Sequence, residues 1–198
     1  MKNKKNAFVG LGLSAILITT LSACTFNSGD SDKSNGMMGN PSTTTGASNS
    51  SNFSPSDIMF AQMMIPHHQQ AVEMSTLAET RASSAEVKKL AAQIKAEQAP
   101  EIAQMTKWLT DSNSPTSMGH DMGMNGMLDD DQMRALEAAS GAEFDRLYLQ
   151  GMIEHHKGAI QMAQMVINSS NAEAKVLGTA IVDSQSKQIQ YMESLLSK

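Results

Sequence analysis

The chain is poor in the residues that most often staple, coat or anchor a protein. It holds a single cysteine in 198 residues, which excludes an internal disulfide framework and a Cys-rich zinc site. Positive charge does not predominate: 15 Lys+Arg stand against 20 Asp+Glu, a net charge of -5. The basic stripe of a nucleic-acid binder is therefore missing, and no nucleic-acid partner is expected. No stretch alternates apolar and polar residues with period two, so no strand is expected. The one long apolar run, Ala7 to Leu21, has 15 residues, short for a membrane-spanning helix. The length suits one domain with a real core and is too short for two comfortable ones.

The residue in excess is methionine, with 17 copies. From Cys24 onward, Met outnumbers Leu by 16 to 10, although a helical core normally leans on leucine. The N-terminus reads as an export signal. Lys2, Lys4 and Lys5 precede the apolar run, which ends in Leu21-Ser22-Ala23-Cys24. That ending resembles the lipobox of bacterial lipoproteins, which implies cleavage before Cys24 and lipidation of Cys24. Residues 1–23 are thus expected to be a signal peptide, and the mature chain to be lipid-anchored to a membrane in the cell envelope, outside the cytoplasm. Losing three lysines leaves 12 basic against 20 acidic residues, a balance of -8. Residues 24–53 read as a flexible tether: of residues 25–54, 22 are Ser, Thr, Asn, Gly or Pro, too little apolar surface to offset ordering entropy.

Residues 54–198 read as an all-α domain. Ser54, Pro55 and Asp57 open a first helix that runs to about Thr80. Ser83 with Glu86 forms a capping box for a second helix, ending near Leu109. Residues 111–128 are a Met-rich loop, and a short helix over about Asp129 to Ala139 follows. A third long helix covers about Ala142 to Ile167. Ser170 with Glu173 opens a fourth, to about Leu196. Pro66 and Pro100 fall inside helices and are expected to bend them.

The chain also repeats itself. Residues 57–74 align with 145–162 at an offset of 88, with eight of 18 positions identical. The second and fourth helices align at an offset of 87: Leu90, Ile94, Gln98, Ile102, Met105 and Leu109 match Leu177, Ile181, Gln185, Ile189, Met192 and Leu196. Residues 54–110 are one helical hairpin and the second lies within 129–198. Two such hairpins bury their faces by packing into a four-helix bundle. The long connection favours a ferritin-like crossover over a plain up-down-up-down path.

Two clusters carry chemistry. At about 100° per residue, Met64, His67, His68 and Met74 share one face of the first helix, and Met152, His155, His156 and Met162 share the matching face of the third. Thioether sulfur is soft and suits Cu(I), or Ag(I), while imidazole suits both copper oxidation states. A Met stripe also serves as ordinary core filling, but two aligned His-His doublets point to a metal. Gln98 and Gln185 interrupt apolar stripes at matched places, and are candidates to hydrogen-bond the ligating imidazoles from behind. Glu73, Glu97 and Glu101 read as a solvated face. The second cluster is in the loop, where Met118, His120, Met122, Met124 and Met127 lie within ten residues on a chain too Gly-rich to pack as core. It reads as a secondary metal site.

The duplicated Met-Ile-x-His-His-x-x-Ala-(Val/Ile)-x-Met pattern, Gln98-x-x-Glu101-Ile102-x-x-Met105-x-x-Trp108-Leu109, and Gly141-x-x-Phe144-Asp145 resemble the family called domain of unknown function 305, or CopM-like. The resemblance spans residues 53–198. It implies a ferritin-like four-helix bundle, copper binding outside the cytoplasm, and ligands among Met64, His67, His68, Met152, His155 and His156. The expected function is a non-enzymatic copper-binding protein that buffers or sequesters Cu(I), with Cu(II) and Ag(I) as further candidates. Its expected partners are the membrane, the ion and a metal-delivery protein. Two rivals stand beside it. One is a helical interaction module of the cell envelope with structural His and Met. The other is a ferritin-like metal-dependent oxidase, which lacks support because Met64, Ile65, Met152 and Ile153 stand where Glu-x-x-His motifs would need Glu.

Overall fold

In the computed structural model, residues 52–118 and 125–198 are described, and all belong to one compact unit, Gly46–Lys198. The expected signal peptide 1–23, Cys24 with its lipid, nearly all of the tether, and His120, Met122 and Met124 lie outside the described residues. The described residues form helices, with no strand among them beyond an isolated parallel bridge between Ala82 and Gly141.

Helix α1 spans Pro55–Arg81. Ser54 and Asp57 cap it reciprocally: Asp57 N donates to Ser54 Oγ at 3.2 Å, and Ser54 N to Asp57 Oδ2 at 2.8 Å. Helix α2 spans Ala85–Asp111. Pro66 and Pro100 lie within continuous helices. The cap of α2 is Ser84, one residue beyond the expected Ser83: Ser84 Oγ accepts from Val87 N at 3.3 Å and donates to Glu86 Oε2 at 2.9 Å. Ser83 is taken by a distant partner instead. The buried Asp145 carboxylate accepts from Ser83 N, Ser83 Oγ and Ser84 N at 3.1, 2.5 and 2.9 Å. The same one-residue displacement recurs at the fourth long helix, α5 (Ala172–Leu196). There Asn171, not Ser170, is the cap, and its Oδ1 accepts from Glu173 N and Ala174 N. Between them lie α3 (Asp130–Ala138), capped by Asp129, and α4 (Gly141–Ala163), which ends four residues before the expected Ile167 and gives way to turns.

The helix directions settle the topology. The bridge from Ala82 to Gly141 joins the end of α1 to the start of α4, so these two run antiparallel. Trp108 near the end of α2 donates to Glu173 at the start of α5 at 3.0 Å, so that pair is antiparallel too. The chain from the end of α2 must then traverse the full height of the bundle before α4 begins, which is the ferritin-like crossover. It climbs alongside α1. Gln62 Nε2 donates to Pro115 O at 2.8 Å, Gln70 exchanges two 2.8 Å hydrogen bonds with the Leu128 backbone, and Arg81 reaches Ala139 O at 3.4 Å.

The apolar core falls into two parts. One holds Met74, Leu90, Ile94, Leu136, Phe144, Tyr148, Met152 and Met192. The other holds Phe60, Met64, Met105, Trp108, Leu109, Met162, Leu177 and Ile181. On each long helix the residues of one part are separated from those of the other by polar positions: His67 and His68 on α1, Gln98 on α2, His155 and His156 on α4, Gln185 and Gln188 on α5. The bundle is thus two hydrophobic halves with a polar layer between them.

The crossover meets α4 at the level of this layer. Gly126 has φ +87°, and a Cβ on Gly158 would lie 1.8 Å from Asn125 O. Glycine at a helix interior normally costs roughly 0.5–1 kcal/mol relative to alanine. Here the sign should reverse: Gly158→Ala should destabilise by about 1–3 kcal/mol through overpacking. Urea unfolding checks this, and a stabilised variant would show that the crossover is not seated on α4.

Candidate metal site

Consecutive residues on a helix point about 100° apart, so each His-His doublet serves two directions. The first histidine of each doublet faces the α1–α4 interface. Because these helices are antiparallel and the doublets occupy matching heights, His67 and His155 meet there, with ring centroids 3.7 Å apart and planes at 40°. The second histidine of each doublet faces its own hairpin partner. His68 Nε2 lies 2.7 Å from Glu101 Oε2 on α2, and His156 Nε2 lies 2.6 Å from Gln188 Oε1 on α5. His156 is 6.3 Å from His155, centroid to centroid. All four rings have 0% exposure.

Burial dictates their charge. It holds His155 well below the ordinary imidazole value, pushes His67 down to about 3 and pushes His156 down to about 4. The neighbouring imidazoles add to the effect in each case, since one protonated ring would repel the next. Hydrogen bonds to Asn125 O and Gln188 Oε1 oppose the shift and are outweighed. At neutral pH these three rings are therefore uncharged, which is the form that binds metals.

The sulfur donors sit beside the layer. Met64 and Met152 are fully buried and lie one turn before His67 and His155. Met74 and Met162 are also buried, and the Met74 methyl approaches Gly151 on α4. All four pack within the two apolar halves, so they are core residues as well as candidate ligands. Among the described residues, no three His, Cys, Asp or Glu side chains are grouped to hold a metal. A bundle-bound ion would then be held by few imidazoles supplemented by thioether. That donor set suits a soft monovalent cation and not the four-donor nitrogen, thiolate and carboxylate sites typical of zinc.

The described end of the loop, from Asn125, lies at the same level. Met118 and Met127 are partly buried, and Asn125 beside Met127 directs its carbonyl at His67 Nε2, 3.3 Å away. Asn125 is held in turn by Gln161 on α4 at 3.0 Å.

Gln98 and Gln185 are buried at 2% exposure each, but they do not hold the histidines. Both polar ends of Gln98, and Oε1 of Gln185, lack a hydrogen-bond partner. The imidazoles are held one turn later, by Glu101 and Gln188. Glu101 and Glu97 accordingly turn inward, against the solvated face expected of them; Glu97 accepts from Gln188 Nε2 at 2.7 Å. Glu73 is exposed, as expected. A signal for the true partners was present, since Glu101 and Gln188 share the 87-residue offset of the repeat. It was hidden because one is a carboxylate and the other an amide. The Asn125 carbonyl had no sequence signal at all.

A family model described as domain of unknown function (DUF305) matches residues 57–196. Comparison with curated protein sequences gives no match. Among solved structures, a putative secreted DUF305 protein from Streptomyces coelicolor is 36% identical, with a TM-score of 0.68, covering 72% of this chain and 92% of that one. A DUF305 fragment from Deinococcus radiodurans is 27% identical, with a TM-score of 0.68, covering 73% and 97%. CopM in its Cu(II)-bound form is 34% identical, with a TM-score of 0.62, covering 71% and 95%. CopM has also been solved in Cu(I)-bound, Ag-bound and apo forms.

The depressed imidazoles make stability depend on pH with a definite sign. Above about pH 6.5 they are neutral in both the folded and unfolded chain. Below it the unfolded chain takes up protons, and His67 and His156 do not until about 3 and about 4. Unfolding free energy should fall as pH drops from about 6.5 to 5, by up to about 1.4 kcal/mol per pH unit for each such ring. This window lies above the ordinary titration of carboxylates. Urea midpoints that stay flat across it would contradict the burial of neutral imidazoles.

Proposed function

The chain belongs to the DUF305 family, and from that premise we propose that it is a copper-binding protein that buffers or sequesters Cu(I) through the mid-bundle histidines and their neighbouring thioethers. One observation carries the reading: four buried imidazoles, two from each half of the repeat, come together in a single layer, with ring nitrogens that have no protein partner. An apolar core does not need such a layer and is weakened by it. The solved copper and silver forms of CopM support the same ion class. The donors proposed for the bundle are drawn from His67, His68, His155 and His156 with Met64 and Met152, and Met74 and Met162 in outer support. The loop methionines Met118, Met122, Met124 and Met127, with His120, form a second donor set. Cu(II) and Ag(I) fit the imidazoles and the soft sulfurs respectively.

The setting is the cell envelope. The signal-like N-terminus and Cys24 support export and lipid anchoring, and the secreted relative from Streptomyces coelicolor supports an extracytoplasmic place. The role is binding and not catalysis: no nucleophile–base pair is evident, and the Glu-x-x-His pattern of di-iron oxidases is missing. The rival reading, histidines contacting a protein partner, fares poorly because every one of the four is fully buried.

The soluble chain 25–198, which contains the whole compact unit, should bind Cu(I) in preference to Zn(II) in a titration under reducing conditions followed by native mass spectrometry. Replacing His67, His68, His155 and His156 together by Leu should abolish the bundle-bound fraction while circular dichroism stays helical. Undiminished copper in that variant would move the site to the loop. The loop set is read separately by changing Met118, Met122, Met124 and Met127 to Leu. A drop in stoichiometry with the bundle fraction intact is expected, and unchanged stoichiometry would make the loop a connector only.

A further inference from the structure

The hydrogen bonds around the layer single out Nε2 as the proton-bearing nitrogen of three of its rings. Glu97 is a carboxylate and accepts from Gln188 Nε2 at 2.7 Å. The amide of Gln188 is thereby oriented, and its Oε1 faces His156 Nε2 at 2.6 Å. An amide oxygen can only accept, so His156 Nε2 must be the donor. Glu101 Oε2 stands 2.7 Å from His68 Nε2, and an ionised carboxylate likewise only accepts. The Asn125 carbonyl imposes the same choice on His67 Nε2 at 3.3 Å. A neutral imidazole has one ring proton. With it on Nε2 in His67 and His156, the lone pair is on Nδ1, and Nδ1 of both, like Nδ1 of His68, is buried without a hydrogen-bond partner.

We propose that Glu101 and Gln188 are positioning residues that lock His68 and His156 in the Nε2–H tautomer, so that these rings take a soft cation through Nδ1. His67, set by the Asn125 carbonyl, binds in the same sense. The inference rests on the copper-binding reading above and adds the ligating atom and its control. Three unlike acceptors (a carboxylate, a side-chain amide and a backbone carbonyl) each face Nε2 and none faces Nδ1. Coordination through Nε2 would break these hydrogen bonds and leave each acceptor without its partner, the buried Gln188 amide among them. The repeat shows the same device built twice. His68 and His156 are mates at an offset of 88, and Glu101 and Gln188 are mates at 87. The carboxylate needs no helper, because both its ends accept. The amide needs one to choose its orientation, and Glu97 supplies it. Ser184, the mate of Glu97, has no such duty and donates to Ile181 O on its own helix.

The test uses the chain 25–198 with 15N-labelled histidine. Two-bond proton–nitrogen correlation spectra identify the protonated ring nitrogen directly. In the metal-free protein, His67, His68 and His156 should all show Nε2–H. On addition of Ag(I), a diamagnetic stand-in for Cu(I), the Nδ1 signals should shift and couple to silver while Nε2–H persists. Gln188→Leu should remove the tautomer preference of His156, and Glu101→Leu that of His68, each lowering Ag(I) affinity about 10- to 100-fold. Glu101→Gln, which keeps an acceptor oxygen, should retain most of the affinity. Nδ1–H rings in the metal-free wild type, or silver coupled to Nε2, would overturn the proposal. Nε2–H tautomers with no silver bound at all would support the positioning role and sink the copper reading, so the two failures are distinct.

Discussion

The polar layer across the middle of the bundle is the constraint on which everything else turns. A four-helix bundle of this height could be filled with leucine from end to end. Instead four imidazoles and three glutamines interrupt the core at one level. Each buried polar atom left unpaired costs about 1–3 kcal/mol, so such a layer persists only if the surrounding structure carries it. Two apolar halves do so, one on either side. Their methionines suit this task. An unbranched thioether fills the uneven space beside flat rings, and the same sulfur is a soft donor. The excess of Met over Leu therefore has two causes acting together.

Duplication makes the layer coherent. Since the hairpins are repeats and α1 and α4 run antiparallel, matching positions are brought to the same height. The first histidines of the doublets meet each other, and the second histidines meet matching positions on α2 and α5. The symmetry is broken where the crossover passes. It climbs along α1 and rests on α4, and the two helices differ accordingly: Gln70 on α1 binds the Leu128 backbone by two hydrogen bonds, while its repeat mate on α4 is Gly158, which admits the Asn125 carbonyl. The crossover therefore delivers a backbone carbonyl to His67 and places Met127 beside the layer. The end of the Met-rich loop that carries Met127 and the histidine layer are neighbours.

Much of this was legible along the chain. The helices, their order, the hairpin duplication and the inward face of the doublets all follow from periodicity and self-alignment, because a helix repeats every 3.6 residues whatever it packs against. The departures from that reading are local. Ser83 and Ser170 were expected as caps, yet Ser84 and Asn171 fill that place. Adjacent residues of equal capping ability cannot be ranked without knowing that Asp145, 62 residues away, claims Ser83. Gln98 and Gln185 were expected behind the histidines, yet Glu101 and Gln188 stand there. One helical turn separates the two pairs, and a choice between adjacent turns depends on how far α2 and α5 slide against their partners.

The amino-acid order by itself determined that there would be two equivalent hairpins, each carrying a pair of imidazoles at mid-helix among thioethers. Those properties are local, set by side-chain type and helical spacing. Only the packed molecule decided which ring nitrogens are free, which polar groups lie behind them and which segment of the crossover reaches His67. These depend on helix direction, axial offset and the route of the crossover, and contacts between residues 30 to 90 positions apart have no trace in any short stretch of chain.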